Sequence, residues 1–382
     1  MKIAIIITIL LIIFGSAGYY VYTRTMQAFS GTFVNSIPVL ILYLFLITSF
    51  FFGKLIEHYS IGIISNTLVK IGSVALGFFL YAFLIVVFFD FIHLIHNIVP
   101  IYPKFITADF QKTKLIVGII SVVFISAVFI KGYMNARFPV INKLNLTIHK
   151  KKASFDTLHI VAVSDIHLGT VVNKTKALQL IKTVNGLNPD LVIIAGDMAD
   201  DNIEIVKYFK LLEYFKEINA KYGVYACLGN HDYISGAYKD LNYFEKNGIH
   251  ILKDTVQLVD NQFYIIGRDD IQGRNIAKKE RKSLNELTNE IDFNLPVFLL
   301  DHQPYKLDET TEYAVDLQFS GHTHKGQVWP FNYITSSIFE KDWGYLKKKN
   351  THFYISSGYG TSVIPIRVGN RSEIVSIQIR NE

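Results

Sequence analysis

The first third of the chain consists of long apolar stretches separated by short polar ones. A helix needs about 20 apolar residues to cross the hydrocarbon of a bilayer, and four stretches approach or exceed that length. They run from Ile3 to Tyr22, from Ile37 to Phe52 with an extension back to Phe33, from Ile71 to about Ile98, and from Leu115 to Ile130. Each is flanked by Lys or Arg. The pattern predicts an all-α transmembrane region of about four helices within residues 1–140.

The first stretch has an alternative interpretation. Lys2 precedes an apolar core, and Gly15-Ser16-Ala17-Gly18 resembles the small-residue cleavage region of a signal peptide. The apolar character continues through Tyr19 to Tyr22, which favours a retained helix. Cleavage would remove one span and change the predicted orientation of the rest.

From residue 158 onward, short β-branched runs alternate with segments of helical spacing. Helices are predicted at Lys176–Asn185 and Glu204–Lys216. Strands are predicted at Leu158–Val163, Leu191–Ala195, Val224–Leu228, Phe263–Ile266, Val297–Leu300 and Leu317–Phe319. This alternation predicts an α/β domain over residues 145–382.

Metal-binding residue types follow directly after five of these predicted strands. The blocks are Asp165-Ile166-His167, Gly196-Asp197, Gly229-Asn230-His231-Asp232, Asp301-His302 and Gly321-His322-Thr323-His324. Functional sites of open α/β sheets assemble at the carboxyl ends of strands, so the fold is expected to bring these blocks together.

Composition and charge narrow the class of partner. The net charge of +6 is scattered, and many Lys residues flank apolar segments where anionic lipid head groups lie, so no nucleic-acid partner is expected. Cys227 is the only cysteine, which excludes an intramolecular disulfide and predicts a small core residue. The expected partners are a lipid bilayer and a phosphate-ester substrate.

The donor types in the five blocks fit the chemistry of phosphate-ester hydrolysis. Two divalent cations about 3.5–4 Å apart can clamp phosphoryl oxygens and activate a water near neutral pH. Such a pair needs a bridging carboxylate together with neutral imidazole and oxygen donors. The same donors accept manganese, iron, zinc or cobalt, so the sequence does not select the metal.

The five blocks occur in an order that resembles the calcineurin-like metallophosphoesterase family. The resemblance covers about residues 145–382 and includes a glycine-rich tail, Ser357-Gly358-Tyr359-Gly360 through Pro365-Ile366-Arg367, like that of its membrane-linked bacterial subgroup. It implies a metallophosphoesterase-type α/β/β/α sandwich and a metal-dependent phosphoric ester hydrolase.

The resemblance also implies a role for each site residue. The first metal would be bound by Asp165, His167 and His324, and the second by Asn230, His302 and His322, with Asp197 bridging the two. His231 would be a general acid or transition-state stabiliser, and Asp200 would orient it, with Asp201 and Asp232 as competitors for that role.

Two departures from the family pattern concern the substrate. Lys325 follows the Gly-His-Thr-His block where the subgroup often has glycine, and Arg371-Ser372-Glu373 replaces the usual proline before the acidic residue. Met198-Ala199-Asp200-Asp201 after the bridging aspartate disfavours a Ser/Thr protein phosphatase. Aromatic residues from Trp329 to Tyr345, followed by Lys347-Lys348-Lys349, suit a lipid interface or pack over the sheet.

These features favour hydrolysis of a phosphodiester or pyrophosphate bond, with a lipid-linked molecule such as UDP-2,3-diacylglucosamine as one candidate substrate that the subgroup's resemblance supports. The alternative is a membrane transporter or sensor whose soluble half is a regulatory module that binds a phosphate ligand.

The basic residues predict the orientation of the membrane region. Six of them lie on the face of the hydrolase domain (Lys2, Lys54, Lys70, Lys131, Arg137 and Lys143), and four lie opposite (Arg24, Lys104, Lys112 and Lys114). This bias predicts a cytoplasmic catalytic domain, and the resemblance to a membrane-linked bacterial subgroup implies a bacterial inner membrane. Asp90, His93 and His96 near the end of the third span admit a metal or proton site, or a place at the membrane interface.

Overall fold

The computed structural model describes residues 2–382, with residues 2–11 described as backbone alone. The chain divides into two compact units, one that ends at Gly132 and one that spans Tyr133–Glu382. The first unit is helical, and the second contains all twelve strands of the described chain.

The first unit contains four long helices and one short one. They are α1 (Lys2–Ala28), α2 (Ile37–Tyr59), α3 (Ile63–Ile98), α4 (Lys104–Ala108) and α5 (Phe110–Arg137). The last turn of α5 belongs to the second unit. Within the described residues, α2, α3 and α5 are long and apolar enough to cross a membrane. The predicted first span lies in α1, and its residues 3–11 fall outside the part that is described with side chains. The third helix begins at Ile63, earlier than predicted.

The second unit is built on two six-stranded mixed sheets. In chain order the strands are β1 (Val140–Ile148), β2 (Thr157–Val163), β3 (Leu191–Ala195), β4 (Val224–Cys227), β5 (Ile249–Ile251), β6 (Thr255–Val259), β7 (Phe263–Gly267), β8 (Val297–Leu300), β9 (Leu317–Ser320), β10 (Gly344–Lys348), β11 (Thr351–Ile355) and β12 (Glu373–Asn381). The first sheet has the order β1-β12-β2-β3-β4-β5, and the second has the order β10-β11-β9-β8-β7-β6. Strands β2 to β5 are mutually parallel, as are β7, β8, β9 and β11.

Further helices, most of them short, connect the strands of the second unit. They are α6 (Lys174–Gly186), α7 (Ile203–Tyr208), α8 (Asn230–Ile234), α9 (Leu241–Glu245), α10 (Gln272–Ile276), α11 (Leu284–Thr288), α12 (Leu307–Thr310) and α13 (Asn332–Ile338). Turns of 3-10 helix occur at Phe33–Asn35, Glu213–Glu217, Ala237–Lys239 and His324–Gly326.

Apolar residues form separate cores between these layers. One core lies between the two sheets and contains Ile160 and Ile193 from the first sheet, Phe298 from the second, and Cys227. A second core packs α6 and α7 on the outside of the first sheet, and a third packs Leu284 and Leu287 of α11 on the second sheet. The α/β/β/α sandwich predicted from the sequence is confirmed, and Cys227 is a core residue as predicted.

The prediction of one continuous helix over Glu204–Lys216 is wrong. The structure has α7 over Ile203–Tyr208, then a left-handed backbone at Lys210 with φ of 54°, then the 3-10 turn at Glu213–Glu217. The left-handed residue ends the helix, and the adjacent Leu211 and Leu212 that follow are both buried. Helical spacing alone does not reveal this break.

Candidate metal centre

The predicted site residues converge at the ends of strands from both sheets. Asp165 and His167 follow β2, Asp197 follows β3, Asn230 and His231 follow β4, His302 follows β8, and His322 and His324 follow β9. Asp165, His167, Asp197 and His302 are buried, while Asn230, His322 and His324 are partly exposed. The site is therefore open to solvent on the side of the last three residues.

Backbone hydrogen bonds hold these loops in register with one another. His167 N–H donates to the Asp197 carbonyl at 2.9 Å, and Gly321 N–H donates to the His302 carbonyl at 2.9 Å. His322 N–H donates to the Asp165 carboxylate at 2.9 Å. The loops that carry the predicted metal ligands are therefore hydrogen-bonded directly to one another.

The backbone at the site is unusual. Five of the seven predicted metal ligands have positive φ: Asp165 (49°), His167 (53°), Asp197 (53°), His322 (71°) and His324 (47°). Asp and His tolerate this conformation better than most residues, but each instance costs about 1–3 kcal/mol. Gly196 also has positive φ, and a Cβ there would lie 2.6 Å from His302 Nδ1. Strain concentrated at one place in this way marks a functional site.

The donor atoms form two groups that meet at Asp197. In the first group, His324 Nε2 lies 3.0 Å from His167 Nε2 and 3.6 Å from Asp165 Oδ1. In the second group, Asn230 Oδ1 lies 2.7 Å from His322 Nδ1 and 3.1 Å from His302 Nε2. Asp197 Oδ2 is 3.8 Å from His167 Nε2 and 3.2 Å from His302 Nε2.

These separations fit two cations. Ligands held about 2.0–2.2 Å from a metal lie roughly 3 Å apart, which is the spacing within each group. The nitrogen and oxygen donors suit borderline divalent ions, and the set contains no thiolate. Among the described residues, Asp165, His167 and His324 form one cluster able to hold an ion, and Asp197, His302 and His322 form another.

Hydrogen bonds at the far ring nitrogens set the direction of two imidazoles. His167 Nδ1 bonds the Asp200 carboxylate at 2.9 Å, and His302 Nδ1 bonds the Ala195 carbonyl at 2.8 Å. Each acceptor requires a proton on Nδ1, so the Nε2 lone pair of both rings points into the cluster.

Burial and neighbouring charges shift the pKa values of three imidazoles in different directions. Burial, together with the charge of His302, lowers the pKa of His322 to about 3. Burial, together with the charge of His167, lowers the pKa of His324 well below its usual value. Burial alone would lower the pKa of His167, but the hydrogen bond and charge of Asp200 raise it to about 9. His322 and His324 therefore stay neutral near pH 7, as metal ligation requires, whereas His167 would release its Nε2 proton when it binds a cation.

His231 lies beside the two groups without belonging to either. Its backbone N–H donates to Asp197 Oδ1 at 2.7 Å, and its ring is 4.7 Å from that of His167. His231 Nδ1 is 3.1 Å from the Asp200 backbone carbonyl but 3.6 Å from the Asp200 carboxylate. The carboxylate of Asp200 bonds His167 instead, so Asp200 contacts His231 mainly through its backbone.

The two competitors for the orienting role differ in their surroundings. Asp201 Oδ1 is 4.0 Å from His231 Nδ1. The Asp232 carboxylate accepts hydrogen bonds from the backbone N–H groups of Met198, Ala199 and Gly229. Asp232 thus joins the loops after β3 and β4.

Arg367 is a part of the site that the sequence reasoning did not single out. It is fully buried, and its guanidinium donates to the carbonyls of Gly358 and Gly360 and to His324 Nδ1 at 3.1 Å. Gly360 N–H in turn donates to the Asp165 carbonyl at 2.7 Å. No carboxylate lies within 4.0 Å of Arg367 among the described residues. Its position in the Pro365-Ile366-Arg367 tail was the available signal.

The Lys325 side chain lies against the aromatic segment that follows the last metal-binding block. Its ammonium lies 3.8 Å from the centroid of the Trp343 ring, so a cation–π contact holds it against the aromatic segment. Glu373 belongs to the second departure from the family pattern, Arg371-Ser372-Glu373. Its side chain is buried and accepts a hydrogen bond from the Ser357 backbone N–H.

Comparison with known proteins supports this interpretation of the second unit. The family model described as calcineurin-like phosphoesterase matches residues 158–326. A zebrafish protein named "Transmembrane protein with metallophosphoesterase domain" is 29% identical over 72% of this chain and 64% of its own length. An uncharacterized metallophosphoesterase of Aquifex aeolicus is 29% identical over 67% of this chain and 98% of its own.

One relative extends along nearly the whole chain. An uncharacterized metallophosphoesterase of Campylobacter jejuni is 27% identical and covers 98% of both chains. Among solved structures, a 5'-nucleotidase precursor from Thermus thermophilus matches with a TM-score of 0.33 and 14% identity, over 59% of this chain and 54% of its own. Residues 158–326 of the chain are therefore a calcineurin-like phosphoesterase domain, and three of its described helices are long and apolar enough to cross a membrane.

Proposed function

We propose that the chain is a membrane-anchored, dinuclear-metal phosphoesterase that hydrolyses a phosphodiester or pyrophosphate bond in a lipid-linked substrate. UDP-2,3-diacylglucosamine is one named candidate. The transmembrane region would occupy residues 1–140 and the hydrolase domain residues 145–382. The basic residues favour a cytoplasmic hydrolase domain and a bacterial inner membrane.

The observation that carries the lipid part of the proposal is an exposed apolar surface beside the metal-binding residues. We call it the apolar rim; it consists of Trp329, Phe331, Tyr333, Ile334, Ile338, Trp343 and Tyr345, all exposed. The buried Phe339 connects it to the site, because its ring lies 5.9 Å from that of His322. Monomeric proteins seldom expose a contiguous apolar patch without a binding role.

Two contacts fix the segment of the apolar rim next to the metal-binding residues. Thr323 Oγ1 donates to the Asp342 carbonyl at 2.6 Å, and the Phe339 ring contacts that of Tyr305 at 4.9 Å. A phosphate at the metal-binding residues would therefore leave an attached acyl group next to the rim. Of the basic residues that follow, the exposed Lys347 and Lys349 suit anionic head groups, whereas Lys348 pairs with Asp308 and Glu340.

Each site residue has a role in the proposed reaction. Asp165, His167 and His324 would hold one cation, Asn230, His302 and His322 would hold the other, and Asp197 would contact both. When bound, the cations would clamp the phosphoryl oxygens and activate the attacking water. His231 has its Nδ1 at the Asp200 carbonyl, so its Nε2 is the ring atom that can hold a proton for the leaving oxygen.

The test compares two exposed tyrosines on short helices. Tyr333 lies in the rim and is 65% exposed, while Tyr208 lies at the end of α7 and is 59% exposed. Full-length protein in detergent with manganese would be assayed on a lipid pyrophosphate and on a soluble diester. We expect Tyr333→Ser to raise KM for the lipid substrate alone, and Tyr208→Ser to change neither. Hydrolysis of the soluble diester only would contradict the lipid proposal.

A further inference from the structure

The membrane unit contains a cavity of about 530 Å³ that the hydrolase chemistry does not use. It lies between the end of α1, the second half of α3 and the first half of α5. Its size is within the usual range of small-molecule sites, about 300–1,000 Å³. Most of its wall is apolar, but Arg24, Asp90, His93 and Lys114 also line it.

The charges at this cavity do not balance. Arg24 pairs with Asp90 at 2.7 Å, and Tyr20 OH also donates to Asp90 at 2.5 Å. Lys114 lies over the Phe110 ring at 4.8 Å and has no carboxylate within 4.0 Å among the described residues. One cation therefore remains without an anion. Asp90 lies within the third apolar stretch, where an ionisable residue is costly and marks a binding or transport site by default. Arg24 and Lys114 flank the first and fourth stretches, at the level of the lipid head groups.

His93 adds a polar atom that lacks a partner. Its Nδ1 is buried and makes no hydrogen bond to any described residue. The ring is held in place by Phe110 at 5.5 Å and Tyr102 at 6.0 Å. A buried polar nitrogen without a partner costs about 1–3 kcal/mol, and His93 is one of the residues that line the cavity.

A second cavity of about 660 Å³ adjoins the first, since both are lined by Thr25, Ala82, Val122 and Ile125. Apart from Thr25, Tyr43 and Lys70, its lining is apolar. The membrane unit thus offers a place with excess positive charge next to a place for hydrocarbon. That combination matches an anionic amphiphile.

We propose that these two cavities bind one anionic phospholipid. Its phosphate would lie between Arg24 and Lys114 and reach His93, and an acyl chain would occupy the adjoining apolar cavity. This site uses none of the metal-binding residues, so it stands or falls independently of the proposed reaction.

The test measures lipid binding to full-length protein by native mass spectrometry. The probes are short-chain phosphatidylglycerol and phosphatidylcholine of the same chain length, which differ in net charge. Arg24→Gln and Asp90→Asn break the same ion pair but leave opposite charges. We expect Arg24→Gln to weaken phosphatidylglycerol binding at least tenfold and Asp90→Asn to preserve or strengthen it.

Lys114 and Lys112 supply a matched control, because Lys114 lines the cavity and the exposed Lys112 does not. We expect Lys114→Gln to weaken phosphatidylglycerol binding at least tenfold and Lys112→Gln to leave it unchanged. Equal binding of the two lipids would overturn the proposal. So would equal losses from Arg24→Gln and Asp90→Asn, which would show that the pair is purely structural.

Discussion

His302 Nε2 lies 3.2 Å from Asp197 Oδ2, while the other nitrogen of the same ring bonds the Ala195 carbonyl at 2.8 Å. This one ring therefore joins the two sheets, because Ala195 ends β3 and His302 follows β8. The same contact places Asp197 between both groups of donor atoms. The two-sheet architecture and the candidate metal centre thus depend on each other.

The proposed role of Asp197 as a bridge between two cations predicts the effect of Asp197→Asn. An amide is a poor bridge between two cations, and a metal contributes several kcal/mol to phosphoryl transfer, so hydrolysis should fall at least about 10³-fold. Metal content per chain should fall with it. Unchanged biological activity in this variant would instead favour a soluble half that acts as a regulatory ligand-binding module.

A different outcome is expected for His231. Its ring is not in either donor group, so His231→Gln should keep the full metal content. Loss of a general acid or of a stabilising hydrogen bond should reduce kcat by about 10²–10⁴-fold. Metal analysis and kinetics on the same preparation check this prediction. A variant that lost metal in proportion to activity would show that His231 is a ligand.

Arg367 is expected to position His324 and the loop after β11. In Arg367→Met the carbonyls of Gly358 and Gly360 lose their donor, so affinity at the Asp165 metal site should fall about 10–100-fold. Isothermal titration with manganese measures this affinity.

The buried Arg268 provides the control for Arg367, because it pairs with Asp301 and Glu309 and does not contact a predicted ligand. Arg281 also holds Asp301, so that carboxylate keeps a partner when Arg268 is replaced. Arg268→Met should lower Tm but leave manganese affinity unchanged. Equal losses of affinity in the two variants would mean that Arg367 acts only through general stability.

The environment of Lys176 predicts that the free energy of unfolding depends on pH. Its ammonium donates to the Ala136 carbonyl at 2.8 Å in the last turn of α5, and burial, with the charges of Arg137 and Arg367, lowers its pKa to about 7. The unfolded chain holds this proton up to a pKa of about 10.4, so the unfolded state binds more protons between these values. Stability must therefore rise with pH across that window.

The measurement compares Tm of the wild type with that of Lys176→Met, which removes the titrating group. The difference in Tm, wild type minus variant, should increase from about pH 6.5 to about pH 9.5. Lys182→Met is the matched control, because Lys182 lies on the same helix α6 and is exposed. A difference that stays flat would contradict the lowered pKa of Lys176.

The strand ends were the most predictable part of the molecule. Buried parallel strands such as Leu191–Ala195 and Val297–Leu300 are short apolar runs, and the structure places them at the predicted residues. The site residues follow those runs directly, so a correct strand also located its loop. At these positions the same short stretch of sequence indicates both the strand and the site residues that follow it.

Features that depend on distant partners were not predictable. Strand β12 lies between β1 and β2, more than 200 residues away in sequence, and nothing local indicates that pairing. Arginine usually lies at the surface of a protein, so the sequence does not indicate that Arg367 is buried. Only the folded tail shows that it lies against His324. The left-handed turn at Lys210 likewise depends on how Leu211 and Leu212 pack.

We propose that Asp197 joins two divalent ions held by the two donor groups. Electron paramagnetic resonance of detergent-purified protein loaded with manganese, combined with metal content per chain, tests this proposal. We expect two ions per chain and an exchange-coupled manganese signal that disappears in Asp197→Asn. A single uncoupled ion, or the same signal with and without the Asp197 carboxylate, would contradict it.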